Sequence, residues 1–330
     1  MIWGNMPGFY NSDSGGPRWG DSTIIADEFG NVEVIDGYCG IGTTRLIKAL
    51  KKRKIKSPYL YITHAHYDHY YGIRQIIRDS YFTPKALYCY DPKTLTAHTK
   101  DIRENIEALT NIINEAKTKN IPVVYLKNGN TVRHGEIKFT VYRDQPSTFN
   151  GNSDAYVNDG SLCFWFPEIK YLITGDAGLE VAKKNNLDPV FIKIGHHGNN
   201  CVRAMATWLK NRGCKYCWDN DYSTKITDFL KTGREDCLAV GMKYFGIHGD
   251  INFVAFEGKI NIYKDGKAYS YACLYRGKNT MKLATLQVVR ATLLGEYGTN
   301  NERTTALLAD GFNPGSVQGW INTLTKLIKG

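Results

Sequence analysis

Tyr59-Leu60-Tyr61-Ile62-Thr63-His64-Ala65-His66-Tyr67-Asp68-His69 joins an apolar run to four metal-seeking side chains packed into six residues. The run Tyr59–Thr63 is short, apolar and rich in β-formers, which is the signature of a buried strand. A loop at its carboxyl end lets His64, His66, Asp68 and His69 converge on one point. Imidazole nitrogens and a carboxylate oxygen are the donors that Zn²⁺ and similar borderline cations take. The purely structural alternative would leave three histidines and an aspartate solvated beside a strand by accident.

Two later segments repeat the arrangement. Tyr171-Leu172-Ile173-Thr174-Gly175-Asp176 is an apolar run ending in Gly-Asp, and Phe191-Ile192-Lys193-Ile194-Gly195-His196-His197-Gly198 is another, ending in paired histidines. Each sets a ligand type just past a strand, where sites gather in open α/β sheets. Five of the eight histidines fall in these three segments, so their distribution is not random scatter.

The ordered set His-x-His-x-Asp-His, Gly-Asp, His-His-Gly resembles the metallo-β-lactamase superfamily, and within it the hydrolase domain of ComEC-type competence proteins. Trp19-Gly-Asp-Ser-Thr-Ile-Ile25 followed by Val32-Glu-Val-Ile-Asp-Gly37 is similar to the opening hairpin of that branch. Val157-Asn-Asp-Gly-Ser-Leu162 is similar to its Asn-x-x-Ser-Leu segment. The resemblance runs over roughly residues 15–275 and implies an α/β fold, the four-layered αββα metallo-β-lactamase sandwich. It implies that His64 and His66 hold one metal, that Asp68, His69 and His197 hold a second, and that Asp176 bridges them. His196 is then a neighbour that touches substrate or a group behind the ligands, and Asp36 orients a ligand from behind. Asp68, Asp176 and His196 are the catalytic candidates. The implied cofactor is Zn²⁺, one ion or two, with Mn²⁺ as the alternative. Many superfamily members supply a further histidine to the first metal. Only His98, in an expected helix over Thr94–Lys117, and His134, in an expected hairpin over Thr131–Val141, lie in that interval. Both read as structural, which leaves Asn158 or Asp159, or water, to fill the place.

At 330 residues the chain can bury one large core and carry a small module besides. A net charge of +10 favours an anionic partner. Nucleic acid, teichoic acid and acidic wall polymers all qualify. The run Lys51-Lys-Arg-Lys-Ile-Lys56 ends a helix that starts near Thr43, where cations complement the helix dipole, so it reads as a solvated helix end. Eight cysteines show no disulfide framework, and Cys214-x-x-Cys217 has no second pair at zinc-site spacing. The amino terminus has neither the basic start nor the apolar core of a signal peptide. No apolar stretch approaches the ~18 residues of a membrane helix. The expectation is a protein made in the cytoplasm, with no membrane partner.

Among the remaining elements, Ile102–Ala116 carries apolar residues at 102, 106, 109, 112 and 113, close to helical spacing. Phe149–Asp159, rich in Asn, Gly and Ser, reads as a mobile loop near the site. Ala204–Lys210 reads as a helix, and Phe253–Phe256 and Lys259–Tyr263 as strands, with a hairpin turn at Lys264-Asp-Gly-Lys267.

These readings divide the chain into a hydrolase-like domain over residues 1–277 and a small three-helix C-terminal module over 278–330. Lys278–Met281 is the expected linker. The expected helices are Leu283–Leu294, Asn301–Asp310 and Pro314–Lys329, with Val289, Leu293, Leu307, Leu308, Val317, Trp320, Ile321 and Leu324 as their core. Leu294-Gly-Glu-Tyr-Gly-Thr-Asn-Asn-Glu-Arg303, with Gly311-Phe312 and Ser316-Val-Gln-Gly-Trp-Ile-Asn322, resembles the cell-wall-binding repeat at the end of some phage lysozymes. That likeness implies a bacterial cell-wall polymer as partner, teichoic acid or peptidoglycan, with nucleic acid as runner-up. One copy implies weak binding, or avidity through oligomers formed by the module. Together the motifs imply an endolysin-like, metal-dependent hydrolase acting at the cell wall on a teichoic-acid phosphodiester or a peptidoglycan amide. The arrangement is similar to that of teichoic-acid phosphorylcholine esterases. A bound cation would lower the pKa of water from ~16 toward ~7 and supply hydroxide at neutral pH. A nuclease and a non-catalytic wall-binding protein are the alternatives. β-Lactam hydrolysis is disfavoured, because such an enzyme should carry an export signal.

Overall fold

The computed structural model describes residues 2–8, 20–144, 149–198, 201–219, 228–246, 249–256, 258–276, 291–292, 296–310, 312, 314–315, 317–318 and 321–322. The chain opens with β1 (Ile2–Met6), then the antiparallel hairpin of β2 (Thr23–Asp27) and β3 (Val32–Ile35). Helix and strand alternate from there: α1 (Gly40–Lys52), β4 (Tyr59–Tyr61), α2 (Tyr67–Arg78), β5 (Ala86–Cys89), α3 (Lys100–Thr118) and β6 (Val123–Tyr125). Strands β3 to β6 pair in parallel, with Ile35 opposite Tyr61.

A second sheet follows. β7 (Thr131–His134), β8 (Ile137–Tyr142), β9 (Cys163–Phe166) and β10 (Tyr171–Ile173) are antiparallel; β11 (Phe191–Lys193), β12 (Tyr216–Asp219) and β13 (Lys243–Gly246) continue in parallel with β10. The helices threaded through it are α4 (Ser153–Asp159), α5 (Glu180–Lys184), α6 (Arg203–Asn211) and α7 (Asp228–Ala239). The chain then returns to the first sheet, where β14 (Ile251–Phe256), β15 (Lys259–Lys264) and β16 (Lys267–Ala272) pair in turn beside β1. Among the described residues, nine strands thus form one sheet and seven the other.

The two sheets face each other across an aromatic core. Tyr61 of the first sheet meets Phe139 and Phe164 of the second, both with ring centroids 5.6 Å apart, and Phe253 meets Tyr171, also at 5.6 Å. Helices cover the outer faces by the spacing of their apolar residues. α3 buries Ile102, Leu109, Ile112, Ile113 and Ala116 on one stripe, against the first sheet. On the far side, Leu172 and Ile192 pack with Leu179, Met205 and Leu209 from the α5 and α6 region. The layers are therefore helix, sheet, sheet, helix, the expected αββα sandwich. Among the described residues, no helix is long and apolar enough to cross a membrane.

Several local expectations are corrected. The motif is not all loop: only His64 and His66 precede α2, while Asp68 and His69 lie in its first turn. His98 stands outside α3, which Thr99 caps through a bond from the Ile102 amide; the His98 ring stacks on Phe149 at 4.9 Å. Most of the segment 149–159 is helix, because Asn152 caps α4 by accepting from the Ala155 amide. β1 has no clear sequence signal because Gly4 and Asn5 interrupt it, yet it is wholly buried, and the Asn5 side-chain amide donates to Asn252 Oδ1 at 2.8 Å. Cys214 and Cys217 sit in one apolar cluster with Cys201 and Cys237, and burial pushes the Cys214 thiol up to about 12. Thiols so placed are packing groups and poor nucleophiles.

Helix α8 (Asn300–Ala309) brings Leu308 into the main core, while Leu307 clusters with Val317 and Ile321 beside Tyr297 and Phe312. The expected linker, most of the helix over 283–294, and Val289, Leu293, Trp320 and Leu324 lie outside the described residues.

One close approach sets the height of α2. Gly37, after β3, and Gly72, on α2, touch backbone to backbone, and a Cβ on Gly72 would overlap the Gly37 carbonyl. Gly72→Ala should therefore cost about 3 kcal/mol of stability, as forced overpacking does. Denaturant unfolding checks this, and an unchanged midpoint would contradict it.

Candidate metal centre

The parallel registers deliver the site. Ile35 of β3 lies beside Tyr61 of β4, so Asp36 and Thr63 leave the first sheet at the same edge. Ile173 of β10 lies beside Lys193 of β11, so Asp176 and His196-His197 leave the second sheet together. The turn after β11 is unusual: His196, His197 and Gly198 all take positive φ, 49°, 50° and 87°. For histidine this is strained backbone, of the kind that clusters at functional sites. It turns the His196 amide onto Asp176 Oδ1 at 3.1 Å.

The sequence-derived residues meet as follows. His64, His69 and Asp176 each offer a donor atom within 4.8 Å of the others, and so do Asp68, His69 and His197. Asp176 Oδ2 is 3.7 Å from His64 Nε2, 3.3 Å from His69 Nε2 and 3.9 Å from His197 Nε2. His197 Nε2 is 3.0 Å from Asp68 Oδ2. His69 is common to both groups. His66 stands outside them, its Nδ1 3.1 Å from His64 Nε2 and its Nε2 3.8 Å from the exposed Asp154. The His196 ring is half-buried at the rim. Asn158 is buried with its side-chain carbonyl unpartnered, whereas Asp159 is exposed. His134 is engaged elsewhere, bonded to Glu33 at 2.9 Å and to the Tyr88 hydroxyl at 3.1 Å.

Asp36 organises two of the imidazoles. It accepts from the Thr63 amide at 2.8 Å, the Thr63 hydroxyl at 2.7 Å and His69 Nδ1 at 2.8 Å. Since the Thr63 hydroxyl donates to Asp36, it accepts from His64 Nδ1 at 3.0 Å. Both rings thereby turn their Nε2 lone pairs inward, the tautomer a metal ligand requires. His69 Nε2 is fully buried without a hydrogen-bond partner, an arrangement that a cation would satisfy.

Two charged residues of the site escaped sequence reasoning. Lys193, fully buried, contacts Asp21 and lies 3.2 Å from Asp176 Oδ1. Asp21, also buried, lies 4.0 Å from His69 Nε2. The available signal was a lysine inside an otherwise apolar strand. Four carboxylates (Asp21, Asp36, Asp68, Asp176) thus surround the imidazoles. This donor set of nitrogen and oxygen fits a divalent transition ion such as Zn²⁺ or Mn²⁺.

The electrostatics follow from this crowding. Burial, together with His69, holds His64 well below its ordinary value. Burial also acts to lower His69, but Asp176, Asp68 and Asp36 outweigh it and hold that ring well above. His197 is raised against the same opposition, by Asp176 and Asp68. Asp68 and Asp176 stay below the usual carboxylate range despite burial, chiefly through His69.

No protein-family model matches the chain, and no curated protein matches it. Among solved structures it is similar to the metallo-β-lactamase-fold protein YhfI of Bacillus subtilis, at 11% identity over 76% of this chain and 97% of that one, TM-score 0.47. It is likewise similar to unliganded yeast PDE1, at 11% identity over 75% and 97%, TM-score 0.44. A third is the B3 metallo-β-lactamase BLEG-1, at 15% identity over 60% and 77%, TM-score 0.34.

Two outcomes are expected. Asp36→Asn should weaken Zn²⁺ binding about 10–100-fold, as losses behind a ligand do; a chelator competition giving the wild-type affinity would refute this. The neighbouring carboxylates favour the protonated forms of His69 and His197 in the metal-free protein, whereas ligation requires the deprotonated rings. Calorimetry in buffers of different ionisation enthalpy should therefore show net proton release, with affinity falling as pH is lowered. Uptake without release would contradict the assignment.

Proposed function

We propose that this chain is a divalent-metal-dependent hydrolase that cuts a phosphodiester in a bacterial cell-wall polymer, in the manner of an endolysin. The observation that carries the metal reading is the convergence of His64, His69 and Asp176 with Asp68 and His197 around shared donor atoms. A divalent cation held there would lower the pKa of water and polarise the scissile group. The chain's own residues do the rest. Asp68, ionised and with its side chain 20% exposed, can accept a hydrogen bond from water and orient it. Asp176 is held rigidly by the His196 amide and Lys193. Burial keeps His196 below its ordinary value, so its ring is neutral at pH 7 and can hydrogen-bond a substrate oxygen, while the leaving oxygen takes its proton from solvent.

The wall polymer is favoured by the likeness of residues 294–322 to a wall-binding repeat. Within that class, an anionic phosphodiester suits paired cations and a net charge of +10 better than a neutral amide does. A nucleic-acid phosphodiester is the second reading. Exposed Lys48, Lys52, Lys54, Lys56 and Lys85 line a cleft of about 780 Å³ between α1 and α8. Glu302 and Asp310 line the same cleft, which lessens its pull on a polyanion.

Purified cell walls treated with wild type should release phosphate-containing fragments detectable by mass spectrometry. Asp68→Ala should release them about 10²–10⁴-fold more slowly. New amines in their place would shift the reading to a peptidoglycan amide. Walls left intact, with plasmid or single-stranded DNA digested in Zn²⁺ or Mn²⁺, would replace it with the nuclease.

A further inference from the structure

We infer that Lys193 is a built-in counter-ion, an ammonium that neutralises Asp21 and Asp176 in the metal-free protein and yields that role to a divalent cation on loading. The inference rests on the metal-dependent reading above. Lys193 ends β11, a strand whose other members, Phe191 and Ile192, are apolar and buried, and its own side chain is shut off from solvent. Its Nζ contacts Asp21 Oδ2 and the Gly175 carbonyl and lies 3.2 Å from Asp176 Oδ1. Asp21, Asp36 and Asp176 are buried as well, each no more than 4% exposed. Carboxylates gathered out of water repel one another and the fold unless a cation stands among them. Lys193 is the ammonium that the fold places among these carboxylates, and it is no ligand.

A second role for the same geometry is orientation. Asp176 Oδ1 accepts from Lys193 and from the His196 amide, which leaves Oδ2 facing the three imidazoles. The two roles predict opposite signs. Losing an orienting partner weakens metal binding, typically 10–100-fold. Losing a counter-ion strengthens it, because an ammonium one carboxylate away from a divalent ion repels it with little solvent between. Orientation survives the loss of Lys193 in part, through the His196 amide, whereas the repulsion disappears entirely. Tighter binding should therefore win.

The test uses the full chain, with Zn²⁺ as the probe. Metal-free Lys193→Met should melt well below metal-free wild type, and Zn²⁺ should close most of that gap. Chelator competition should show Zn²⁺ held at least tenfold more tightly than by wild type. Lys193→Arg, which keeps the charge, should stay near wild type in both measurements. The double variant Asp21→Asn/Lys193→Met, which removes one carboxylate along with the ammonium, should recover metal-free melting. A Lys193→Met chain that folds only with Zn²⁺ would also support the proposal. An equal drop in melting with and without Zn²⁺, weaker Zn²⁺ binding, or a double variant no more stable than the single would each overturn it. Wild type that takes up no Zn²⁺ would instead defeat the metal reading itself, which separates the two failures.

Discussion

The buried carboxylate of Asp36 is the constraint around which the site is arranged. It sits in the left-handed region, φ 57°, directly after β3, and the following Tyr38 is left-handed too. Neither residue is glycine, so the backbone there is strained, and surrounding contacts hold it. The Gly37 amide bonds to the His69 carbonyl at 2.8 Å and the Gly72 amide to the Tyr38 carbonyl at 3.1 Å. These bonds clamp the turn against α2. The clamp brings Asp36 onto Thr63 and His69 together, so one carboxylate sets the tautomers of two imidazoles that are five residues apart.

Each sheet supplies half of the centre. His64, Asp68 and His69 come from the loop and helix after β4, while Asp176, Lys193 and His197 come from the ends of β10 and β11. Neither half presents a complete donor set, so the centre exists only while the aromatic core holds the sheets together. Assembly of this donor set is therefore coupled to folding through the Tyr61–Phe139–Phe164 contacts. The Glu33–His134 pair, 2.9 Å apart, is a second polar tie between the sheets. Losing His134 would leave the buried Glu33 carboxyl without that partner.

The ring of carboxylates also bears on substrate. The lysines on the last turns of α1 lie well away from this ring: α1 begins beside the clamp and its 13 residues span roughly 20 Å. A short ester would touch only the centre, whereas a polymer could reach the lysines as well.

Much of this was legible from residue order. The three strand-end motifs, their donor types and the layered α/β architecture follow from short-range patterns, because strands announce themselves by apolar runs and ligands by their chemistry. The β14–β15–β16 closure was readable from its turn residues. What the sequence could not reveal is partnership across the fold. Lys193 looked like an interruption of an apolar strand, and Asp21 like part of a turn. They become a buried ion pair only because the sheets stack with β11 above the loop that precedes β2. Likewise, α2 begins at Tyr67, so the helical turn carries His69 back over the strand end, while His66 just before it stays against His64 with its Nε2 buried. The sequence by itself determined which groups could bind a cation. Tertiary packing decided which of them share one centre, and which charges balance it, since distances between residues remote in the chain are set by how the layers stack.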